Sequence, residues 1–147
     1  MEMNFTQMSE ELCQLHIRYA GAMNQMLDGI SARGEDGVVL WLYQRGQETF
    51  STDVIQHFHL SPGRVANILK KMEQKKLVER RKDAEDQRKA RILLTEEGRA
   101  YADQSYAEMV EEHRAILEAL GGEEAEQLLR LIKHILTMVD SGQISSM

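Results

Sequence analysis

The sequence predicts a mainly α-helical protein that carries one small β hairpin. Three observations support this fold class. Apolar residues recur at helical spacing along most of the 147 residues, Pro62 is the single proline, and the spacing changes to an extended pattern between residues 77 and 95. Neither a repeat nor a low-complexity tract is present. We therefore expect one cooperative domain, residues 1–147.

The N-terminal helix is predicted to run from about Thr6 to Ile30. Its apolar residues recur at spacings of four and three and form one seam, which consists of Met8, Leu12, Leu15, Tyr19, Ala22 and Met26. A seam of this kind packs against other helices. Gly34 and Gly37 then predict a break, and the apolar stretch from Val38 to Tyr43 is interpreted as a short buried helix.

Two short helices are predicted to meet at a tight turn. Ser51 suits the N-cap of the first, and Ser61 followed by Pro62 suits the start of the second, which we place at residues 61–76. The second helix has an apolar stripe of Val65, Ile68, Leu69 and Met72. Its opposite face is basic and polar and carries Arg64, Asn67, Lys71 and Lys75.

The next segment is predicted to be a two-stranded wing. Leu77 to Lys82 and Ala90 to Thr95 favour extended chain, and the charged residues 83–89 between them form the tip.

A long helix follows the wing. Thr95 suits its N-cap, it is predicted to reach about Leu120, and Gly121 and Gly122 are predicted to end it. A last helix carries the apolar residues Leu128, Leu131, Ile132, Ile135, Met138 and Val139. Both ends of the chain are thus apolar-striped helices with more apolar surface than one small domain covers. We therefore expect a second copy of the chain as a partner.

The charge of the chain is unevenly distributed. The net charge is −6, but residues 64–91 hold 11 Lys and Arg against 5 Asp and Glu, so this segment carries +6 and the remainder −12. Such a segment suits a polyanionic partner, although a solvated lysine-rich helix is the alternative on charge alone. A helix that enters the major groove can read bases, and Arg64 and Asn67 are of the types that pair with guanine and adenine edges. Ser61 and the lysines suit phosphate contacts.

Several other classes of protein are excluded by what the sequence lacks. Cys13 is the single cysteine, so no intramolecular disulfide or zinc-finger spacing is possible. No apolar run long enough for a membrane span and no signal-peptide pattern is present, so we expect a cytoplasmic protein without a membrane partner. No phosphate-binding glycine loop and no nucleophile paired with a base at motif spacing appears, so we expect no enzyme, no cofactor and no metal.

Residues 60–99 closely resemble the multiple antibiotic resistance regulator (MarR) family. The resemblance rests on four motifs: Leu60-Ser61 before the recognition helix, Leu77-Val78-Glu79-Arg80 at the entry to the wing, Asp86-Gln87-Arg88 at its tip, and Leu94-Thr95-Glu96-Glu97-Gly98 at its exit. The chain departs from the family at Lys76, where a glycine is usual, and at Ile55, where a small residue is usual. A left-handed Lys76 would cost about 1 kcal/mol relative to glycine.

The resemblance implies a winged helix-turn-helix lobe at residues 34–99 and dimerisation helices at residues 1–33 and 100–147. The protein would then be a homodimeric, ligand-responsive repressor that binds a pseudo-palindromic operator in double-stranded DNA. Recognition helix 61–76 would enter the major groove and wing 77–95 the minor groove, where Asp86 would hold the Arg88 guanidinium. The residues expected to contact DNA are Ser61, Pro62, Gly63, Arg64, Asn67, Lys70, Lys71, Arg80, Asp86, Arg88 and Lys89.

A small aromatic or anionic effector is implied by the same resemblance. His16, Tyr19, Trp41 and Tyr43 are the candidate pocket residues, and ordinary core packing is the alternative for each. Cys13 suggests an organic-peroxide sensor, against which stands a buried, unreactive thiol. Metal sensing through Cys13 and His16, with Glu112 and His113, is a further alternative. The remaining alternative for the function of the whole protein is a helical protein-interaction module that does not bind DNA.

Overall fold

The computed structural model of the chain describes residues 4–27, 35–86 and 88–145, with the backbone alone for residues 23–27. The elements are α1 (Phe5–Leu27), α2 (Glu35–Arg45), β1 (Thr49–Phe50), α3 (Ser51–Phe58), α4 (Pro62–Gln74), β2 (Val78–Lys82), β3 (Ala90–Leu94), α5 (Glu96–Leu120) and α6 (Gly122–Asp140). The chain divides into two compact units, Met1–Tyr106 and Ala107–Met147. The predicted fold class, mainly α with a small β wing, is confirmed.

The sheet has three strands rather than the two predicted. Its order is β1-β3-β2, and both pairings are antiparallel. The hairpin of β2 and β3 is the predicted wing, with Val78 opposite Leu94 and Arg81 opposite Arg91. β1 adds two residues at the other edge, where Thr49 stands opposite Ile92. A two-residue strand is too short for the alternation that identifies a strand in sequence, so β1 was missed.

The core of the first unit lies where α2, α3, α4, the sheet and the beginning of α5 meet. Its buried apolar residues are Val38, Val39, Leu40, Leu42, Val54, Val65, Ile68, Leu69, Met72, Leu77, Val78, Ile92 and Ala102. The predicted apolar stripe of α4 is therefore buried in full. In the predicted buried stretch from Val38 to Tyr43, the four aliphatic residues are buried, whereas Trp41 is half-buried and Tyr43 is exposed. Each large side chain here contributes about 1.5 to 3 kcal/mol by burial.

The start and end of α4 follow from local sequence. Ser61 is the N-cap, and its Oγ accepts a hydrogen bond from the Arg64 backbone N–H at 3.2 Å, while Pro62 occupies the first helical position. Lys76, just after the helix, has a φ of 60°. Lys76 thus adopts the left-handed conformation despite its side chain, and the Leu77 backbone N–H donates to the Met72 carbonyl at 2.9 Å, which closes the helix.

Two predicted boundaries were wrong. Ser51 is the first residue of α3 and not its N-cap; the cap is Phe50, whose backbone N–H donates to the Asp53 carboxylate at 2.8 Å. Gly37 does not break the helix but lies buried inside α2. This helix ends at Arg45, and the next residue, Gly46, has a φ of 57°. The burial of Val38, Val39, Leu40 and Leu42 outweighs the helix cost of one glycine, about 1 kcal/mol. The predicted break at Gly34 and the predicted helix end at Ile30 lie outside the described residues.

Thr95 caps α5 as predicted and also ties it to the sheet. Its Oγ1 accepts from the Gly98 backbone N–H at 2.9 Å and donates toward the carbonyls of Lys76 and Leu77, at 2.6 and 3.1 Å. α5 ends at Leu120 as predicted, before Gly121 with a φ of 86°, whereas Gly122 is already the first residue of α6.

The terminal helices display large apolar side chains to solvent. On α1, Met8, Leu12 and Leu15 are 55%, 54% and 44% exposed. On α6 no residue is buried, and its exposed apolar residues include Leu128, Leu129, Leu131, Ile132, Ile135 and Leu136. α1 is kinked at Tyr19, where φ is −117° and ψ is 24°. Among the described residues no helix combines the length and the hydropathy that a membrane crossing needs.

Candidate nucleic-acid interface

The outward face of α4 is polar and positively charged. Arg64, Asn67, Lys70 and Lys71 are all exposed, because the buried stripe of the same helix turns them away from the core. Ser61, Pro62 and Gly63 are exposed at the beginning of the helix. Helix N-termini carry backbone N–H groups without helical partners, so this end of α4 can also hold an anion.

The end of α4 is attached to α2 through charge. The Lys75 ammonium pairs with Glu35 in the first turn of α2, and the hydrogen bond to Glu35 is the main cause that raises the pKa of Lys75. The next residue, Asp36, accepts a hydrogen bond from the Tyr101 hydroxyl of α5. Lys75 is exposed, as predicted, but its charge already has a protein partner.

The arginines of the wing strands are also engaged with carboxylates. Arg80 pairs with Glu73 of α4, and the Arg81 Nη2 lies 2.8 Å from the Glu79 Oε2. Arg91 on β3 pairs with Glu48 and, at a longer distance of 3.4 Å, with Asp83, which follows β2. Arg80, which the sequence assigned to DNA contact, thus also joins β2 to α4.

The wing tip, residues 83–89, is a tight turn, and Gln87 in it lies outside the described residues. The Asp86 Oδ1 accepts from the backbone N–H of Arg88 at 3.0 Å. The expected contact was with the Arg88 guanidinium, which has no ion pair among the described residues. The Lys89 ammonium lies 5.4 Å from the centre of the Phe50 ring on β1. In the part of the chain that the structure describes, neither Arg88 nor Lys89 forms an ion pair, so the tip presents two cations without a carboxylate partner there.

The basic segment separates into two groups of cations. In the described part of the chain, four of its 11 basic residues form ion pairs: Lys75, Arg80, Arg81 and Arg91. The others have no carboxylate partner in that same part: Arg64, Lys70, Lys71, Lys76, Lys82, Arg88 and Lys89. These lie mainly on the outward face of α4 and at the wing tip. Sequence spacing could not separate the groups, because Glu35 and Glu48 are remote from the residues they neutralise.

An aromatic cluster joins α2 to α3. The Trp41 and His57 rings stack with centroids 4.4 Å apart and planes 14° apart, and the Phe58 ring packs edge-on against Trp41 at 5.7 Å. The Arg45 guanidinium lies 4.9 Å from the Trp41 ring centre. Burial lowers the pKa of His57, and the charges of Arg45 and His59 lower it further. Trp41, a predicted effector residue, is therefore part of this packing.

A half-open cavity of about 560 Å³ lies in the first unit between the end of α2, the segment leading into β1, strand β3 and the first turn of α5. Arg91 and Arg99 line it together with apolar residues of β3. Of the four predicted effector residues, Tyr43 alone borders this cavity; its hydroxyl donates to the Asp103 Oδ1 at 2.6 Å, which raises the pKa of Tyr43.

The remaining candidates lie on α1. Cys13, His16 and Tyr19 are exposed, and the His16 Nδ1 lies 2.9 Å from the Leu12 carbonyl oxygen of the preceding turn. Within the described ranges, no three His, Cys, Asp or Glu side chains come close enough together to hold a metal ion.

Comparison with known proteins agrees with this geometry. Residues 37–90 match the model of the MarR family. Among solved structures, YusO from Bacillus subtilis has a TM-score of 0.64 at 19% identity, covering 92% of this chain and 99% of YusO. The complex of Staphylococcus aureus MepR with DNA has a TM-score of 0.60 at 21% identity, covering 94% of this chain and 99% of MepR.

A third structure, the heme sensor protein PefR in complex with heme and carbon monoxide, has a TM-score of 0.55 at 19% identity, covering 98% of this chain and 100% of PefR. No curated protein matches the chain. The resemblance that the four sequence motifs indicated is thus confirmed, and the fold of the whole chain is the one these structures share. The chain therefore has the winged helix-turn-helix fold, and its residues 37–90 match the MarR family.

Proposed function

We propose that the protein is a homodimeric transcriptional regulator that binds specific sites in double-stranded DNA. The observation that carries the proposal is the distribution of cations in residues 64–91. Five of those without a carboxylate partner in the described structure lie on the outward face of α4 and at the wing tip, namely Arg64, Lys70, Lys71, Arg88 and Lys89. These are the two places from which a helix and a hairpin reach neighbouring grooves of a duplex. Acting on chromosomal DNA, such a protein would work in the cytoplasm and need no catalytic group.

The recognition helix supplies base contacts and phosphate contacts in this proposal. Arg64 lies in the first turn of α4 and Asn67 one turn later on the same exposed face, so both reach the floor of the major groove. Lys70 and Lys71 follow farther along the helix and bind phosphates at its rim. The Ser61 Oγ accepts a hydrogen bond to cap the helix, and its own hydrogen remains available to a phosphate oxygen.

The wing supplies the minor-groove contact. Arg88 is exposed at the tip, and a guanidinium there is attracted to the negative potential of a narrow minor groove. Lys89, beside it, binds the adjoining backbone. Asp86 orients this contact through the backbone N–H of Arg88.

The second copy of the chain covers the apolar faces of the terminal helices. α6 has no buried residue in a single chain, and the α1 seam is about half exposed. Burial of such surface is the main driving force for stable homodimers. Residues 1–33 and 100–147 would then form the dimerisation part and residues 34–99 the DNA-binding lobe. Two lobes related by a two-fold axis fit a pseudo-palindromic operator with half-sites roughly 10 base pairs apart.

We further propose that the protein represses transcription and that a small effector relieves this repression. The cavity beside Tyr43 is within the size range of small-molecule sites. Arg99 in its lining has no carboxylate partner among the described residues and suits an aromatic or anionic ligand, whereas Arg91 is already paired with Glu48. The PefR complex with heme supports small-molecule binding by this fold. Organic-peroxide sensing through the exposed Cys13 is the alternative input, and retained release of DNA by organic peroxide in Cys13→Ser would exclude it.

The test begins with duplexes selected by the protein from a random DNA pool. Binding of the best duplex is then followed by fluorescence anisotropy for the wild type, Arg64→Ala and Arg88→Ala. Each substitution is expected to weaken binding by about 1 to 3 kcal/mol. A wild type that enriches no sequence and binds no duplex at low ionic strength would show instead a helical interaction module.

A further inference from the structure

Arg91 joins two parts of the lobe that are separate in sequence. Its guanidinium pairs with Glu48, in the segment that leads into β1, and its Nη2 lies 3.4 Å from the Oδ1 of Asp83, directly after β2. Its Nε is buried and has no hydrogen-bond partner within the described residues. In the sheet, Arg91 stands between Phe50 of β1 and Arg81 of β2. One side chain thus connects all three strands at the base of the wing tip.

Asp83 organises the turn that follows. Its backbone N–H donates to the carbonyl of Lys89 at 3.0 Å, and its Oδ2 accepts from the backbone N–H of Asp86 at 3.2 Å. The backbone N–H of Lys89 donates to the Asp86 carbonyl at 3.0 Å. The Asp83 side chain is only 13% exposed, so it faces the turn and Arg91 rather than solvent. Both ends of the tip are therefore held by the residue that Arg91 contacts.

We propose that Arg91 and Asp83 are positioning residues of the wing: their ion pair fixes the turn that presents Arg88 and Lys89 to DNA, and neither side chain contacts DNA itself. The inference rests on the proposed function. One guanidinium between two carboxylates leaves an excess of negative charge, so this cluster repels phosphate. Its contribution is to order the tip before binding, which lowers the entropic cost of binding.

The charge of Asp83 makes the proposal directly testable. Removing a carboxylate near DNA strengthens binding if only net charge matters. If Asp83 positions the tip, Asp83→Ala weakens binding to the selected duplex by about fivefold or more despite the more favourable charge. The matched control is Glu85→Ala, which removes the same charge two residues farther along the chain. The Glu85 side chain is exposed and has no partner in the described structure. Glu85→Ala is expected to bind as tightly as the wild type or up to about threefold more tightly.

An Asp83→Ala protein that binds as tightly as Glu85→Ala overturns the inference and leaves the proposed function standing. A wild type that binds no selected duplex overturns the proposed function itself. Circular dichroism melting of both variants shows whether each is folded at the assay temperature.

Arg91→Gln gives a second measurement that does not depend on the stability of Asp83→Ala. If Arg91 acts through the tip, Arg91→Gln weakens binding about fivefold in the wild type but less than about twofold in the Arg88→Ala background. Arg81→Gln is the control, because Arg81 lies directly opposite on β2 and pairs only with Glu79 in the described structure. Arg81→Gln should change the affinity for the duplex by the same factor in the wild-type and Arg88→Ala backgrounds. An equal cost for Arg91→Gln in both backgrounds would make Arg91 an independent contact and overturn the inference.

Discussion

The carbonyl oxygen of Leu77 occupies the space that a side chain at position 98 would need. A Cβ on Gly98 would lie 2.0 Å from that oxygen, far inside contact distance, and 3.1 Å from a methyl group of Leu94. The first turn of α5 thus packs directly against the backbone that enters β2. The motif glycine is required here because the two backbones touch.

Gly98→Ala is therefore expected to destabilise the protein by about 2 to 4 kcal/mol, because the backbone of Leu77 or of α5 must move. Urea unfolding followed by circular dichroism measures the change. Gly63→Ala is the control: it lies in α4 with open space around its Cα and should be neutral or slightly stabilising. Equal unfolding free energies for the two variants would show that the close approach is absent.

Lys76→Gly is expected to stabilise the lobe by about 1 kcal/mol. Lys76 has a φ of 60°, where a side chain is strained and glycine is not. Lys70→Gly, on the regular part of α4, should instead cost about 1 kcal/mol, because glycine is a poor helix former. Chemical denaturation of both variants measures the change in the free energy of unfolding, which should rise for Lys76→Gly and fall for Lys70→Gly. A destabilised Lys76→Gly protein would contradict the assignment of strain.

Lys71 and Lys75 should differ in their contribution to salt-dependent DNA binding although they are one turn apart. Lys71 has no carboxylate partner in the described residues, whereas Lys75 pairs with Glu35. Lys71→Ala is expected to lower the slope of log affinity against log salt by about 1 per protomer, as loss of one phosphate contact does. Lys75→Ala should leave the slope nearly unchanged. The same slope for both variants would mean that the ion pair does not withhold Lys75 from DNA.

Charged substitutions on α6 should separate the proposed dimer. Leu131 and Ile135 lie one turn apart and are 49% and 50% exposed in a single chain. Leu131→Glu with Ile135→Glu is expected to raise the dimer dissociation constant by at least about 100-fold, because four charges enter the apolar contact of the two copies. Sedimentation velocity measures this, with Lys133→Glu as a control on the same helix. A wild type that sediments as one chain at micromolar concentration would rule out the dimer.

The stability of the first unit should fall as the medium becomes mildly acidic. Burial and neighbouring positive charge lower the pKa of His57 below its ordinary value of 6.5, so the unfolded chain binds a proton more readily than the folded one. The stability from this group is complete above about pH 6.5 and is lost as the pH falls below it. His57→Gln should flatten the dependence of unfolding free energy on pH between about 5 and 7. An unaltered slope would show that His57 does not contribute.

The elements that sequence predicted well are those whose signal is local. The α4 stripe, the Ser61 and Thr95 caps and the β2–β3 hairpin all depend on residues within one or two turns of each other. β1 was missed because its two residues become a strand only through pairing with β3. The residue type of Ser51 predicts a cap, but α3 begins one residue earlier than this prediction requires, and the Asp53 carboxylate accepts the hydrogen bond of the Phe50 backbone N–H from inside the helix.

The candidate site was predicted in outline, and its electrostatics were not. Arg64, Asn67 and Arg88 could be chosen from residue type and position in the motif. That Arg80 is engaged with Glu73, and that Arg91 holds Asp83, depends on how the sheet approaches α4 and the β1 segment. The partners are only seven and eight residues apart, but they lie on different elements and meet only in the folded chain. Counting charges along the sequence therefore includes cations whose charge a carboxylate already neutralises.

In the proposed function, the grouping of Arg64, Lys70, Lys71, Arg88 and Lys89 on the α4 face and at the wing tip also shapes how the protein first meets a duplex. A chain of net charge −6 is repelled by the phosphate backbone in most orientations, and attraction begins only when the helix face and the hairpin tip point toward the DNA. Misaligned encounters therefore separate before they can become long-lived nonspecific complexes. The acidic remainder of the molecule thus favours encounters in the productive orientation, and this selectivity acts before any base is contacted.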